Sequence, residues 1–259
     1  MIPLVLRALR FHLDAHLSIP ANFFAAVGGM LINNILFLYG MWLMLFDGKE
    51  QNIKIFPYYL TLISLAYVGW GGIMFVGSGL RRLGERIDDG TLEPMLGTPR
   101  HPLVLVAIGD SDPAALGDVI QGFLNWLLLF YFASSAYAWR SLGLLAVVVL
   151  AFLAVFILAG SISFFMNRGS FLSDFIVEST LSFTLYPTGK MFTGYSRYIL
   201  YVTPALLTGV LPMQVIESTS LAQLFIYLSA VALFFMFSLW VFSKGLKRYR
   251  GSNLIGALR

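Results

Sequence analysis

Three aspartates are the residues best suited to chemistry in this sequence: Asp110, Asp112 and Asp118. A close acidic cluster of this kind is typical of enzymes that transfer phosphoalcohol groups to make phospholipids. The Gly and Arg positions that such a motif also needs are absent. The aspartates therefore leave a lipid-modifying enzyme as an alternative and not as the leading hypothesis.

Other catalytic patterns are missing from the sequence. The three histidines lie outside the long apolar segments, which excludes a Ser–His dyad at membrane depth. The chain has no cysteine, so it has neither a thiolate nucleophile nor a thiolate metal site. It has no Gly-x4-Gly-Lys-[Ser/Thr] phosphate loop and no His/Asp/Glu set with metal-ligand spacing. The sequence therefore predicts no catalytic residue, no metal and no cofactor in this chain.

The composition indicates the solvent in which the chain folds. Of its 259 residues, 58% are apolar and only 12% are charged, and the mean hydropathy is +0.81. A soluble domain carries about 25% charged residues, so this chain has too few polar groups to cover a surface in water. The composition excludes an ordinary soluble enzyme and a nucleic-acid-binding domain, and it predicts a polytopic membrane protein.

Five segments are long enough to cross a membrane as helices, which takes about 20 mainly apolar residues. The third and fourth are joined by a predicted tight turn at residues 139–141, and a basic tail follows the last. The predicted spans are residues 23–46, 57–80, 119–138, 142–167 and 221–242.

The stretch before the last span is interrupted by prolines and glycines, and it admits two interpretations. In the favoured one, a short fifth span over 171–186 is followed by a re-entrant pair of half-helices over 187–217. In the other, an interfacial segment precedes a span over 198–216. Both give six spans, and irregular backbone at membrane depth must be buried in protein or line a wet cavity. The turns of the re-entrant pair would be marked by Pro187, Gly194, Pro204 and Pro212.

The basic residues predict the orientation of the spans. With the N-terminus in the cytoplasm, twelve of the 17 Lys and Arg residues fall on the inner side and five on the outer side. Both termini are therefore predicted to be cytoplasmic. Within residues 1–20, Arg7, Arg10 and Asp14 share one helical stripe beside a leucine stripe. This pattern predicts a helix that lies along the inner membrane surface.

The loop between the second and third spans, residues 81–100, carries eight of the 30 charged side chains. Arg82, Glu85, Arg86 and Asp89 recur at i, i+3, i+4 and i+7. On a helix they would share one face and form ion pairs with one another. A charged helix of this kind is either a solvated loop or a docking element that receives force from a partner.

The same loop carries a motif with a family resemblance. The run Gly90-Thr91-Leu92-Glu93, followed by Leu96 and Thr98-Pro99, resembles the first cytoplasmic loop of ABC-transporter permeases of the type-2 exporter class. The order of the spans and the N-terminal surface helix also resemble that class over essentially the whole chain. A second resemblance is to the proline-marked segment before the sixth span in one branch of the class. It rests on Tyr186-Pro187, Phe192, Gly194, Pro204 and Pro212.

The resemblance implies one half of an exporter. Two permeases would pair in a bacterial plasma (inner) membrane, with a heterodimer favoured over a homodimer, and each would dock one cytoplasmic ABC ATPase subunit that binds ATP and Mg. The implied fold is all-α and forms a single domain over residues 1–259. It has six transmembrane helices, an N-terminal interfacial helix, a cytoplasmic coupling helix and the re-entrant pair. The residues implied to couple to the ATPase are Arg81, Arg82, Glu85, Arg86, Asp89, Leu92, Glu93 and Pro94.

The spans themselves contain few polar groups. The near absence of charge inside them disfavours a proton- or sodium-coupled transporter. An apolar lining suits lipids, lipid-linked sugars, hydrophobic drugs and peptides alike. A non-energised channel or an assembly scaffold is the second alternative. The candidate gate or pathway residues are Asn33, Asn34, Asp174, Glu178, Tyr186, Phe192 and Tyr195.

Overall fold

The computed structural model describes residues 2–46, 55–187 and 201–249. Regular structure in these ranges is entirely helical, which confirms the predicted all-α class. The helices are α1 (Ile2–Leu17), α2 (Pro20–Phe46), α3 (Phe56–Gly77), α4 (Leu83–Asp88), α5 (Glu93–Leu96), α6 (Pro102–Ala107), α7 (Ala115–Phe132), α8 (Ser135–Ile162), α9 (Ser170–Leu185), α10 (Leu211–Ser218) and α11 (Leu221–Arg248).

Five of these helices are long and apolar enough to cross a membrane: α2, α3, α7, α8 and α11. They correspond to the five long spans predicted from hydropathy. Two of them are longer than the predicted spans: α2 begins at Pro20, and α11 continues to Arg248. The last turns of α11 carry Lys247 and Arg248, which a helix favours near its C-terminus.

The predicted turn at residues 139–141 is wrong. The chain turns six residues earlier, between Phe132 and Ser135, so residues 139–141 lie inside α8. The reason is a local cap: the Ser134 hydroxyl accepts a hydrogen bond of 3.3 Å from the backbone N–H of Tyr137. Serine is favoured at this position, because its hydroxyl can accept from an N–H group of the first helical turn. Arg140 then lies on α8 and donates to the carbonyl of Ile216.

Helix α3 is the centre of the bundle. Every residue from Tyr58 to Gly71 is buried. A helix that is buried on all sides is apolar on all sides and does not show one apolar and one polar face. Helices α7 and α8 pack directly against it, α2 packs on α7, and α11 packs on α8. Trp70 lies against the rings of Phe152 and Phe156 on α8, with centroid distances of 6.3 and 5.1 Å.

Helix α1 confirms the predicted N-terminal helix and is tied to the end of the bundle that carries α6. The His12 ring donates from Nε2 to the carbonyl oxygen of Ile108, at 2.9 Å. Arg10 and Asp14 form an exposed ion pair one turn apart. The hydrogen bond between His12 and Ile108 places α1 beside the segment that joins α6 to α7.

The region after α8 agrees in part with the favoured interpretation. Helix α9 has 16 residues, about 24 Å at 1.5 Å per residue, which fits a short fifth span better than a full one. A continuous span over 198–216 is not formed, because the helix is interrupted at Thr203 and Pro204. The re-entrant pair stays a prediction, because residues 188–200, which include its Gly194 turn, lie outside the described ranges.

The segment after Pro204 is irregular but well buried. Leu206–Val210 forms a π-helix that leads into α10, with Pro212 in the first turn of α10. The Thr208 and Thr184 hydroxyls are 2.6 Å apart, and the Tyr227 hydroxyl donates to the Leu207 carbonyl at 3.0 Å. These hydrogen bonds pair hydroxyl and backbone carbonyl groups that would otherwise need water as a partner. Irregular backbone inside a membrane protein requires such pairing.

The Tyr227 hydrogen bond yields a prediction. Tyr227→Phe removes one buried hydrogen bond to the π-helix, for which we expect a loss of about 1 kcal/mol of stability and a thermal midpoint lower by about 2–4 °C. The measurement is thermal unfolding of the purified full chain in detergent. Tyr131→Phe is the control, because Tyr131 is 85% exposed on α7. Equal midpoints for the two variants would contradict the role assigned to Tyr227.

Candidate coupling site

The loop over residues 81–100 is anchored by three apolar side chains. Leu83, Ile87 and Leu92 are at most 5% exposed. Leu83 sits on Gly160 of α8 so closely that a Cβ at position 160 would lie 2.8 Å from the Cβ of Leu83. Gly90, with a φ of 72°, follows α4 in the left-handed conformation that ends helices. The loop is therefore held against the bundle and is not a free solvated segment.

Asp110 is the electrostatic anchor of this loop. The Arg86 guanidinium donates to Asp110 Oδ2 at 2.6 Å, and Arg82 lies 3.8 Å from Asp110 Oδ1. The Arg86 side chain is 16% exposed and also contacts the Met95 sulfur at 3.5 Å. We expected Arg82 and Arg86 to pair within their own helical face, but the structure directs both to Asp110. The carboxylate thus joins α4 to the connection before α7.

Two further contacts join the loop to α9. Arg81 forms an ion pair with Glu178, and its guanidinium lies 6.0 Å from the centre of the Trp70 ring. The Asp88 carboxylate accepts from the backbone N–H of Ser170, the first residue of α9, at 2.9 Å. The positive end of the dipole of α9 also stabilises an acid at this position. Helix α4 is therefore connected to α9 at both of its ends.

A different set of side chains faces outward. Pro94 in α5 is exposed, as are several neighbouring residues on the turns that join α4, α5 and α6. This outward surface combines acidic and apolar groups on a backbone that the buried side chains hold in place. Its exposed members are Arg82, Glu85, Asp89, Thr91, Pro94 and Leu96.

Glu93 differs from the other predicted coupling residues, because it points partly inward. Its Oε1 atom is buried, as is the hydroxyl of Tyr249, and neither has a hydrogen-bond partner among the described residues. Burial raises the pKa of the Tyr249 hydroxyl, and the nearby Glu93 carboxylate raises it further. Tyr249 also packs on Phe164, which follows α8, so the end of α11 lies next to the connection between α8 and α9.

The three aspartates of the alternative enzyme hypothesis do not converge. Asp110 pairs with arginines, and Asp112 accepts from the backbone N–H of Ala114 at 2.9 Å. Asp118 is buried and accepts from the Asn34 side chain at 2.7 Å, which ties α2 to α7. Among the described residues, no group of three or more His, Cys, Asp or Glu side chains could hold a metal ion. The acids hold structural contacts instead of a shared reactive centre.

The candidate pathway residues are distributed over three places. Asn34 is bonded to Asp118, and Asn33 lies 3.5 Å from Asn34. Asp174 lines a polar cleft of about 520 Å³ at the loop end of the bundle, next to the Glu178 pair. Tyr186, at the far end of α9, contacts the Phe37 ring of α2 at 6.4 Å. Phe192 and Tyr195 lie outside the described residues.

Asp110 and Asp118 are the structurally important residues that sequence spacing did not assign. Their partners lie 24 and 84 positions away, so no helical period connects them. The sequence does contain one signal, because Asp110 and Asp112 follow α6, the helix next to a loop that carries four arginines. Opposite charges that border the same apolar segment are expected to meet at its end.

Five span-length apolar helices that carry a rigid charged loop at one end define a multi-pass membrane protein. A family model described as ABC-2 family transporter protein matches residues 24–253, nearly the whole chain. The chain therefore belongs to the ABC-2 transporter family, whose members are the membrane permease components that work with a cytoplasmic ATPase subunit. No curated protein and no solved structure matches it.

The Asp110 anchor yields a second prediction. An exposed ion pair contributes about 0–1 kcal/mol to stability. Removing one partner of a buried pair costs about 3–5 kcal/mol. The pair between Arg86 and Asp110 is partly buried, so the cost of removing Asp110 should lie between these values. For Asp110→Asn we expect amide hydrogen exchange over residues 83–96 to become about tenfold faster. The measurement is hydrogen exchange of the full chain followed by mass spectrometry.

Two further variants complete this test. Asp14→Asn removes an acid from the exposed Arg10 pair, and we expect it to leave exchange in the loop unchanged. The exchanged pair, Arg86→Asp with Asp110→Arg, should restore part of the protection. Unaltered exchange in Asp110→Asn would show that the apolar contacts alone hold the loop.

Proposed function

We propose that this chain is the permease subunit of an ATP-driven exporter in a bacterial inner membrane, with both termini in the cytoplasm. It forms the translocation pathway with a second permease, and the loop over residues 81–100 docks on a separate ATPase subunit that binds ATP and Mg. The observation that carries the proposal is the loop itself. Leu83, Ile87, Leu92 and Arg86 are fixed inward, while Glu85, Asp89 and Pro94 are presented outward.

The anchoring contacts explain how a movement of the ATPase would reach the membrane. Helix α4 rests on α8 through Leu83 and is bound to α9 through Asp88. Through Arg86 and Asp110 it is also tied to the segment that leads into α7. Packed interfaces of this density move as rigid units and do not deform gradually. A displacement of α4 would therefore carry several membrane helices with it.

The surface of α2 supports a second permease. A stripe of small residues, Ala21, Ala25 and Gly29, is exposed along α2, and a Cβ at Gly29 would meet no atom within 4 Å. Small residues let another helix approach closely in a membrane. Because none of the described residues covers this stripe, we assign it to association with the second permease. The resemblance to a branch with unlike permeases favours a heterodimer.

The docking proposal is tested at the exposed acids. Glu85→Ala with Asp89→Ala should weaken co-purification with the partner ABC ATPase. It should also lower permease-dependent ATP hydrolysis by about tenfold, because interface side chains each contribute about 1 kcal/mol or less. Asp14→Ala is the matched control, an exposed acid on α1. ATPase binding and turnover that stay at the unsubstituted level would overturn the docking role.

The assembly is tested by its mass. Native mass spectrometry of the complex, extracted in mild detergent, should show two permease chains and two ATPase subunits, with two different permease masses. Two identical permeases would correct the heterodimer to a homodimer. An assembly without any ATPase would instead support a channel or scaffold.

A further inference from the structure

A basic cavity of about 400 Å³ lies at the loop end of the bundle, and none of the exposed residues of the loop's outward surface lines it. It is formed where α8 ends, where α9 begins and where α11 ends. Its polar lining comes from Ser163, Asn167, Arg168 and Arg248, with Asp88 at one side. None of these groups has a role in the proposed docking face, so the cavity calls for its own explanation.

The donors in this cavity have no acidic or carbonyl partner in the part of the chain that the structure describes. The Ser163 hydroxyl is buried and has no hydrogen-bond partner within residues 2–46, 55–187 and 201–249. Among the described residues, no carboxylate pairs with Arg168 or Arg248. Arg168 is held with a φ of 56°, a conformation that a non-glycine residue adopts only when its surroundings impose it. Unsatisfied donors beside two guanidinium groups are the arrangement that recognises an oxyanion.

The charge of the cavity favours a single negative charge. Arg168 and Arg248 contribute two positive charges, and Asp88, whose carboxylate also accepts from the Ser170 N–H, contributes one negative charge. The lining therefore has a net charge of one positive unit. A phosphodiester carries one negative charge at neutral pH, which this lining would balance.

The depth of the cavity fits the membrane surface. Helices α8 and α11 each have 28 residues, about 42 Å in length, close to the thickness of a bilayer with its headgroup regions. The cavity lies at the ends of both helices, and therefore at headgroup level. Exposed apolar side chains flank it: Phe165 and Met166 on the connecting turn, and Phe171 on α9. Arg248 also lies 5.9 Å from the Phe165 ring.

We infer that this cavity binds the phosphodiester headgroup of an anionic phospholipid, with Arg168 and Arg248 on the phosphate and the flanking aromatic residues against the acyl chains. The Ser163 hydroxyl and the Asn167 amide supply neutral donors to the same oxygens. The site goes beyond the proposed transport function, because lipid binding here requires neither an ATPase nor a second permease. A basic pocket between span ends is a recognised mode of lipid binding.

The test measures binding of short-chain phosphatidylglycerol to the full chain in detergent, with phosphatidylcholine of the same chain length as the comparison. We expect tighter binding of phosphatidylglycerol. Arg168→Gln and Arg248→Gln should each weaken it by about fivefold, because one basic side chain near a membrane surface contributes about 1 kcal/mol. Lys247→Gln is the matched control, since Lys247 is exposed on the same turn of α11 but does not line the cavity.

The outcomes separate the alternatives. Equal affinity for the two lipids, or an equal loss with Lys247→Gln, would overturn the site. Displacement of phosphatidylglycerol by inorganic phosphate at similar concentrations would overturn the lipid assignment in favour of a soluble anion. Arg248→Lys retains the positive charge, so it should bind phosphatidylglycerol more tightly than Arg248→Gln does. An equal loss of affinity in both variants would indicate misfolding and would contradict the electrostatic role of Arg248. Retained ATPase docking in these variants would leave the proposed function intact.

Discussion

The bond between Arg86 and Asp110 is the interaction on which the functional end of this molecule depends. In a chain with 12% charged residues, few acids are available to hold the charged loop, and the structure places one of them between two arginines. A loop fixed only by apolar contacts could slide, because those contacts have no preferred direction. The ion pair and the hydrogen bonds at both ends of α4 add direction, which converts a short helix into a fixed projection.

Rigidity of this kind matters because α4 has only six residues. A helix of that length is not stable by itself, since its few internal hydrogen bonds do not offset the cost of nucleation. Its shape comes from Leu83 on α8, Asp88 on α9 and Arg86 on Asp110, so the helix exists only as part of the bundle. A partner bound to the exposed side of α4 would therefore act on α8, α9 and Asp110 as well, because α4 does not move independently of them.

The sequence predicted the parts of this structure that local patterns determine. Hydropathy located the five long helices, because an apolar helix in a membrane satisfies all of its own backbone groups. It misplaced one turn, because Arg140 and Ser141 interrupt the apolar run, whereas the chain turns at the serine cap formed by Ser134. The ion-pair partners could not be derived from spacing: Arg81 and Glu178 are 97 positions apart, and only the packing of α3 against α9 brings them together.

The interior contacts and the loop contacts together favour a mechanical route for transport. Asp118, a carboxylate within a span helix, is buried and bonded to Asn34, so it serves to hold α2 against α7. A transporter driven by ions would need such a group to be accessible to the bound ion from one side and then from the other. Here Asp110 and Asp118 lock structural elements to one another, and the charged loop over residues 81–100 lies at one end of the bundle. A membrane subunit built in this way changes state when a partner moves its helices, which is the behaviour that an ATPase-driven permease requires.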